Sequence, residues 1–150
     1  MEKTQLKFKT FKNNGKYVLA EDYTYSINGY CITVPKGFLT DLASVPLPFR
    51  IFFPKDGEYT PAAVVHDFLY SKINNTGINR ELADKIFLFI MQELKVAKYK
   101  RKAMYKAVRI FGELAWEKKL ENEGYSKQAV IDKTEEAIAY YKKWKQILGF

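Results

Sequence analysis

The sequence predicts an α+β fold, a small N-terminal antiparallel β-sheet followed by about four α-helices, and three observations carry that prediction. Alternation of apolar and polar residues is confined to the first third of the chain. Asn28-Gly29 sits between two such alternating runs, the signature of a tight hairpin. From residue 59 onward the apolar residues recur at helical spacing, with turn residues between the periodic stretches. Strands first and helices afterwards make segregated α+β rather than alternating α/β. A single domain over residues 1–150 is expected, with 1–58 β-rich and ending in a pinned loop, and 59–150 helical. At 150 residues and 47% hydrophobic, the chain is long enough for a core of its own.

Leu6, Phe8 and Thr10 alternate with Lys7 and Lys9, and Asn13-Asn14-Gly15-Lys16 reads as a turn. Across Asn28-Gly29, pairing of Tyr23 to Ile27 with Tyr30 to Val34 would gather Tyr23, Tyr25, Ile27, Tyr30, Ile32 and Val34 on one packing face. Cys31 excludes an intramolecular disulfide, being the single cysteine, and is expected as a small, buried or half-buried strand residue. Residues 35–49 then leave the sheet. Three prolines and a glycine oppose regular structure there, yet Phe38, Leu39, Leu42, Val45, Leu47 and Phe49 require it to be pinned on the core. Its polar residues are Thr40, Asp41 and Ser44, of which Asp41 and Ser44 would bond local backbone amides. Ser44 lacks the G-x-S-x-G setting of a nucleophile elbow.

Thr60 followed by Pro61 predicts an N-cap with the helix beginning at the proline. On that helix Ala63, His66, Asp67 and Tyr70 share one stripe, while Val64, Val65, Phe68 and Leu69 make the rest apolar, so it should be buried. Asn74-Asn75-Thr76-Gly77 breaks it and Asn79 caps the next helix, in which Leu82, Ile86, Phe89 and Ile90 form the apolar stripe. Arg80 and Asp84 are spaced for an i,i+4 ion pair there. A third helix is expected from about Ala97 to Lys119, with Met104, Val108, Phe111 and Ala115 as its seam and the basic residues largely off it. A fourth should follow Gly124, capped by Ser126 and carrying Val130, Ile138, Tyr141, Trp144 and Leu148.

A net charge of +8 and a pI near 9.4 would suit a polyanionic partner. The basic helix 95–109 keeps nucleic acid open as that partner, although no nucleic-acid-binding motif accompanies the eleven tyrosines. The first residues have no apolar stretch of signal-peptide length, and no run approaches the roughly 18 apolar residues of a membrane span. A soluble protein made without a cleaved export signal or a transmembrane segment is the expectation.

His66, the only histidine, with Asp67 on a buried helix needs partners, since an unpaired buried polar group costs about 1–3 kcal/mol. Asp84 on the following helix is the supplier nearest in sequence. Two arrangements stay open: a reactive His/Asp site supported by Tyr70, Arg80, Asp41 and Ser44, or a satisfied polar network that fixes the packing of two helices. Asp41 could also come over to His66 or Asp67 and complete a site for another divalent metal.

Two resemblances bear on that choice. The run Gly37 to Pro46, the segment Tyr59 to Tyr70, Ala83-Asp84-Lys85-Ile86-Phe87 and Met104 to Gly112, taken in that order, resemble a family of small bacteriophage- and prophage-encoded proteins of unassigned function. That resemblance covers roughly residues 30 to 116 and implies a phage origin, in the host cytoplasm or the phage virion, with a virion or host protein as partner. More narrowly, His66-Asp67-x-x-Tyr70 on one helix and Ala83-Asp84-x-x-Phe87 on the next are similar to the core of the phospholipase A2 superfamily. This second resemblance implies a calcium-dependent ester hydrolase acting on a lipid or other ester. His66 would be the general base, Asp84 its orienter, Tyr70 the support of Asp84, and Asp67 the ligand of Ca2+. An imidazole can take a proton near neutrality, and a carboxylate on its other nitrogen would fix the tautomer. Where that superfamily has a glycine-rich calcium loop, the stretch from Ile51 to Tyr59 has only Gly57.

Overall fold

In the computed structural model, residues 8–10, 17–40 and 57–122 are described. Their strands form two antiparallel sheets. In the first, β1 (Phe8–Thr10), β2 (Tyr17–Leu19) and β5 (Leu39–Thr40) lie in the order β1-β2-β5, with Phe8 opposite Leu19 and Tyr17 opposite Thr40. The second is the predicted hairpin, β3 (Tyr23–Ile27) with β4 (Tyr30–Val34). Asn28 and Gly29 have φ of 48° and 86°, the paired positive values that a type I′ turn requires. Tyr23, Tyr25, Ile27, Ile32 and Val34 are buried on the expected face, and Tyr30 is half-buried beside them.

Two expectations for this region need correction. Cys31 is exposed rather than buried, because the alternation that turns Ile32 and Val34 inward turns Cys31 outward, beside Ser26 of the facing strand at 3.3 Å. The segment after Val34 does not stay wholly outside the sheets, since Leu39 and Thr40 pair with β2. The pairing alternates their side chains: Thr40 is buried and Leu39 is 56% exposed, not pinned. Phe38 does reach the core, edge-on to Phe68 at 5.8 Å.

The described residues form three helices, α1 (Thr60–Leu69), α2 (Arg80–Glu93) and α3 (Lys98–Asn122). Thr60 does not cap α1. It is the first helical residue, Tyr59 holds the cap position, and the Thr60 hydroxyl accepts instead from the Gly57 N–H at 2.9 Å. The turn before the helix thereby uses the oxygen that the capping pattern assigned to the helix itself. Asn79 caps α2 as expected, its side chain accepting from the Leu82 N–H at 2.8 Å. Met104 is buried and Val108 half-buried on α3, in keeping with the predicted seam.

Helix α1 is apolar on almost every side and is largely buried, with Ala62, Ala63, Val64 and Val65 at zero exposure. It packs on α2 and against β4 and β5, and α2 in turn packs on α3. One continuous core joins the hairpin face to these helices. The Tyr25 hydroxyl of β3 donates to the Glu93 carboxylate at the end of α2. None of the described helices is long and apolar enough to cross a membrane. The predicted fourth helix lies outside the described residues, as do Asp41, Ser44 and most of the loop that contains them.

Candidate functional site

Packing of α1 on α2 brings His66 and Asp84 together across eighteen positions. Nε2 of His66 lies 2.7 Å from Oδ1 of Asp84. Asp84 has no solvent exposure and His66 is 5% exposed, so this contact is made in the core. A buried carboxylate accepts, so Nε2 carries the hydrogen of this contact. The imidazole is held between two rings, Tyr70 at 4.3 Å and Phe87 at 4.7 Å between centroids.

Asp84 gathers donors from three helices. Tyr70, one turn after His66 at the C-cap of α1, donates its hydroxyl to the same Oδ1 at 2.6 Å. Arg109 of α3 donates Nη1–H to Oδ2 at 2.7 Å. Arg80 makes the expected i,i+4 ion pair with Oδ2 at 3.7 Å and donates to the Arg109 backbone carbonyl at 3.2 Å. A carboxylate offers about four acceptor positions, and hydrogen bonds from His66, Tyr70 and Arg109 engage both of its oxygens. Burial works to raise the Asp84 carboxyl, but the hydrogen bond and charge of His66, then the bonds from Tyr70 and Arg109, outweigh it and hold the group below the usual carboxylate range. Burial, followed by the neighbouring Asp84 charge, pushes the Tyr70 phenol well up, so it stays a donor. Burial opposes the Arg109 charge, and its bond to Asp84 more than compensates.

Asp67, next to His66, points to a different neighbour. It is half-buried and accepts from the hydroxyl of Thr40 on β5, a residue 1% exposed. The polar segment after the hairpin thus does reach the His-Asp helix, with Thr40 making that contact. Calcium takes six to eight oxygen ligands. Among the described residues no group of three or more His, Cys, Asp or Glu side chains is placed to hold a metal ion. Asp41, the other carboxylate expected near Asp67, lies outside the described residues.

The structure therefore gathers His66, Asp84, Tyr70 and Arg80 as the sequence suggested and places Asp67 at the margin. It adds Arg109 and Thr40, along with Phe87 and Trp116, whose ring meets Tyr70 edge-on at 5.2 Å. Arg109 was hidden in a crowd of basic residues. Spacings of three and four put it on one face of α3 with Gly112 and Trp116, a weak sign that does not by itself say which cation of the run turns inward. Gly112 was a further sign, since glycine inside a helix costs roughly 1 kcal/mol relative to alanine and calls for a local reason. Here a Cβ would stand 2.6 Å from the Tyr70 hydroxyl oxygen.

Residues 17–108 match the family described as Protein of unknown function (DUF1353). The match takes in Thr40, His66, Asp67, Tyr70, Arg80 and Asp84, and ends just before Arg109. No curated protein and no solved structure matches the chain.

Proposed function

The chain belongs to the DUF1353 family of unknown function, so its activity has to be read from its own side chains, and we propose that it is a phage-encoded hydrolase of the phospholipase A2 kind. The observation that carries this reading is the 2.7 Å contact of His66 Nε2 with buried Asp84, braced by Tyr70 at the same oxygen. The arrangement fixes the ring and its tautomer, which is what a general base requires. In the reaction, Nδ1 of His66 takes a proton from water as the water oxygen bonds to the ester carbonyl carbon. Asp84 stabilises the resulting imidazolium without itself taking the proton. As the tetrahedral adduct collapses, the same proton passes to the departing alkoxide, leaving acid and alcohol. Asp67 is the candidate ligand for a calcium ion, which would polarise the ester carbonyl.

The test is release of fatty acid from mixed anionic liposomes, with calcium or with chelator, by the native chain and by His66→Gln, with thermal melts of both. Release that depends on His66 in a folded variant supports the hydrolase. No release by the native chain removes it.

A second reading has its own support. A carboxylate hydrogen-bonded by His66, Tyr70 and Arg109, with the Arg80 charge nearby, is also what a packing device needs. On that reading the protein is a non-enzymatic virion component or host-interaction factor. Its exposed Lys98, Lys102 and Lys106 on α3 would then face an acidic partner, nucleic acid included. Steep salt dependence of binding, indifferent to His66→Gln, distinguishes it.

A further inference from the structure

A His-Asp pair on two helices leaves the carboxylate free to turn. The bond that carries the two oxygens of an aspartate has a broad, roughly two-fold torsion, so either oxygen could face the ring, or neither squarely. The orientation is settled by what holds the second oxygen. Arg80 is poorly placed for that, since its Nη1 stands 3.7 Å from Oδ2, beyond hydrogen-bond reach, and donates to the Arg109 carbonyl. Arg109 is well placed. It comes from a different helix, 25 positions along the chain, and bonds Oδ2 at 2.7 Å.

One turn beyond Arg109, Gly112 lies against the other half of the arrangement. Any side chain there would meet the Tyr70 hydroxyl at 2.6 Å, within the range that real Cβ contacts avoid, and the nearest ring carbon at 3.2 Å. That hydroxyl donates to Oδ1, the oxygen His66 uses. Trp116, one further turn along, closes on the Tyr70 ring. A single face of α3 thus controls both oxygens of Asp84. The Asp84 charge is countered by the Arg109 guanidinium, with Arg80 beside it, so its compensation does not rest on a proton at His66.

We infer that Arg109 and Gly112 of α3 are positioning residues for His66: Arg109 holds Oδ2 of Asp84 so that Oδ1 faces the imidazole, and Gly112 leaves room for the Tyr70 hydroxyl at that same oxygen. The role assigned to them rests on the reading of His66 as proton acceptor, but its test does not need the activity.

Because the chain has one histidine, nitrogen NMR of imidazole-labelled full-length protein reads His66 alone. The native chain should show two well-separated nitrogen shifts, the pattern of a fixed Nε2–H tautomer, and a slowly exchanging downfield Nε2–H proton. Arg109→Gln should lose that proton signal and draw the two nitrogen shifts together. Gly112→Ala should speed exchange of the proton at least several-fold. Arg109→Lys, which keeps one charged donor, should retain the signal, and serves if the glutamine variant does not fold. Arg101→Gln is the control, since Arg101 bonds the Val96 carbonyl at the start of the same helix and should leave the spectrum as it is. Folded Arg109→Gln and Gly112→Ala with unchanged His66 signals would overturn the inference. So would an equal change in Arg101→Gln, or loss of the signal in Arg109→Lys. A native chain with the expected spectrum but no ester hydrolysis would remove the hydrolase and leave the positioning standing.

Discussion

The hydroxyl of Thr40 donates to the carboxylate of Asp67, tying a two-residue edge strand to the helix that carries His66. It joins the β-rich part of the chain to the site through a buried donor. Thr40→Val keeps the shape and removes the bond. A hydrogen bond to a charged group contributes about 1.5–3 kcal/mol, so urea unfolding should show a loss of that order. In a double-mutant cycle with Asp67→Asn, the two losses should fall short of additive, which reports the direct contact.

Asp84→Ala removes the acceptor and leaves two arginines and a histidine around an apolar gap. Breaking one side of a buried pair costs about 3–5 kcal/mol, so a fall in melting temperature well beyond that of Thr40→Val is expected. Asp84→Asn keeps the shape and one acceptor oxygen, and should retain more of the stability. Melting curves of the two variants side by side check the ordering.

The depressed carboxyl of Asp84 gives stability a defined dependence on pH. In the unfolded chain this group titrates near its ordinary value of about 4, and in the folded chain below it. Above about pH 4 both states are ionised and the contribution is complete. As pH falls through that value toward the folded one, the unfolded chain binds the proton first, and stability is lost. Urea midpoints measured from pH 7 down to pH 2.5 should fall more steeply for the native chain than for Asp84→Asn in the acid range.

For the hydrolase, His66→Gln is the decisive substitution. A general base contributes typically 10²–10⁴-fold, and fatty-acid release from anionic liposomes should drop by that factor. Glutamine can still donate to Asp84, so the variant should remain folded. A similar melting temperature with undiminished release would remove His66 from the reaction.

Legibility in the sequence followed the distance over which each interaction acts. The Asn28-Gly29 hairpin, the burial of α1 and the Asn79 cap depend on neighbours within a few positions, and each was readable. The His66–Asp84 pair was readable too, because two helices joined by a short turn must pack antiparallel and their polar residues must meet. Arg109 was not, because helical spacing alone does not say which cation of a basic run turns inward toward a carboxylate 25 positions away. Leu39 and Thr40 escaped for a related reason. Two residues are too few to show a period, and their pairing is set by β2, some twenty positions earlier. Thr60 followed a local rule and still departed from it, since a competing amide at Gly57 captured its hydroxyl.

The convergence of three helices on Asp84 also constrains how the chain can misfold. Sliding α3 along α2 by one turn would carry Arg109 about 5.4 Å from its acceptor. Apolar side chains tolerate such a slip at modest cost, because one leucine or isoleucine can stand in for another. A bare carboxylate in the interior does not, and the penalty falls on every misaligned packing while sparing the right one. Asp84 thereby works as a register key, setting the helices against each other in one alignment whether or not His66 ever moves a proton.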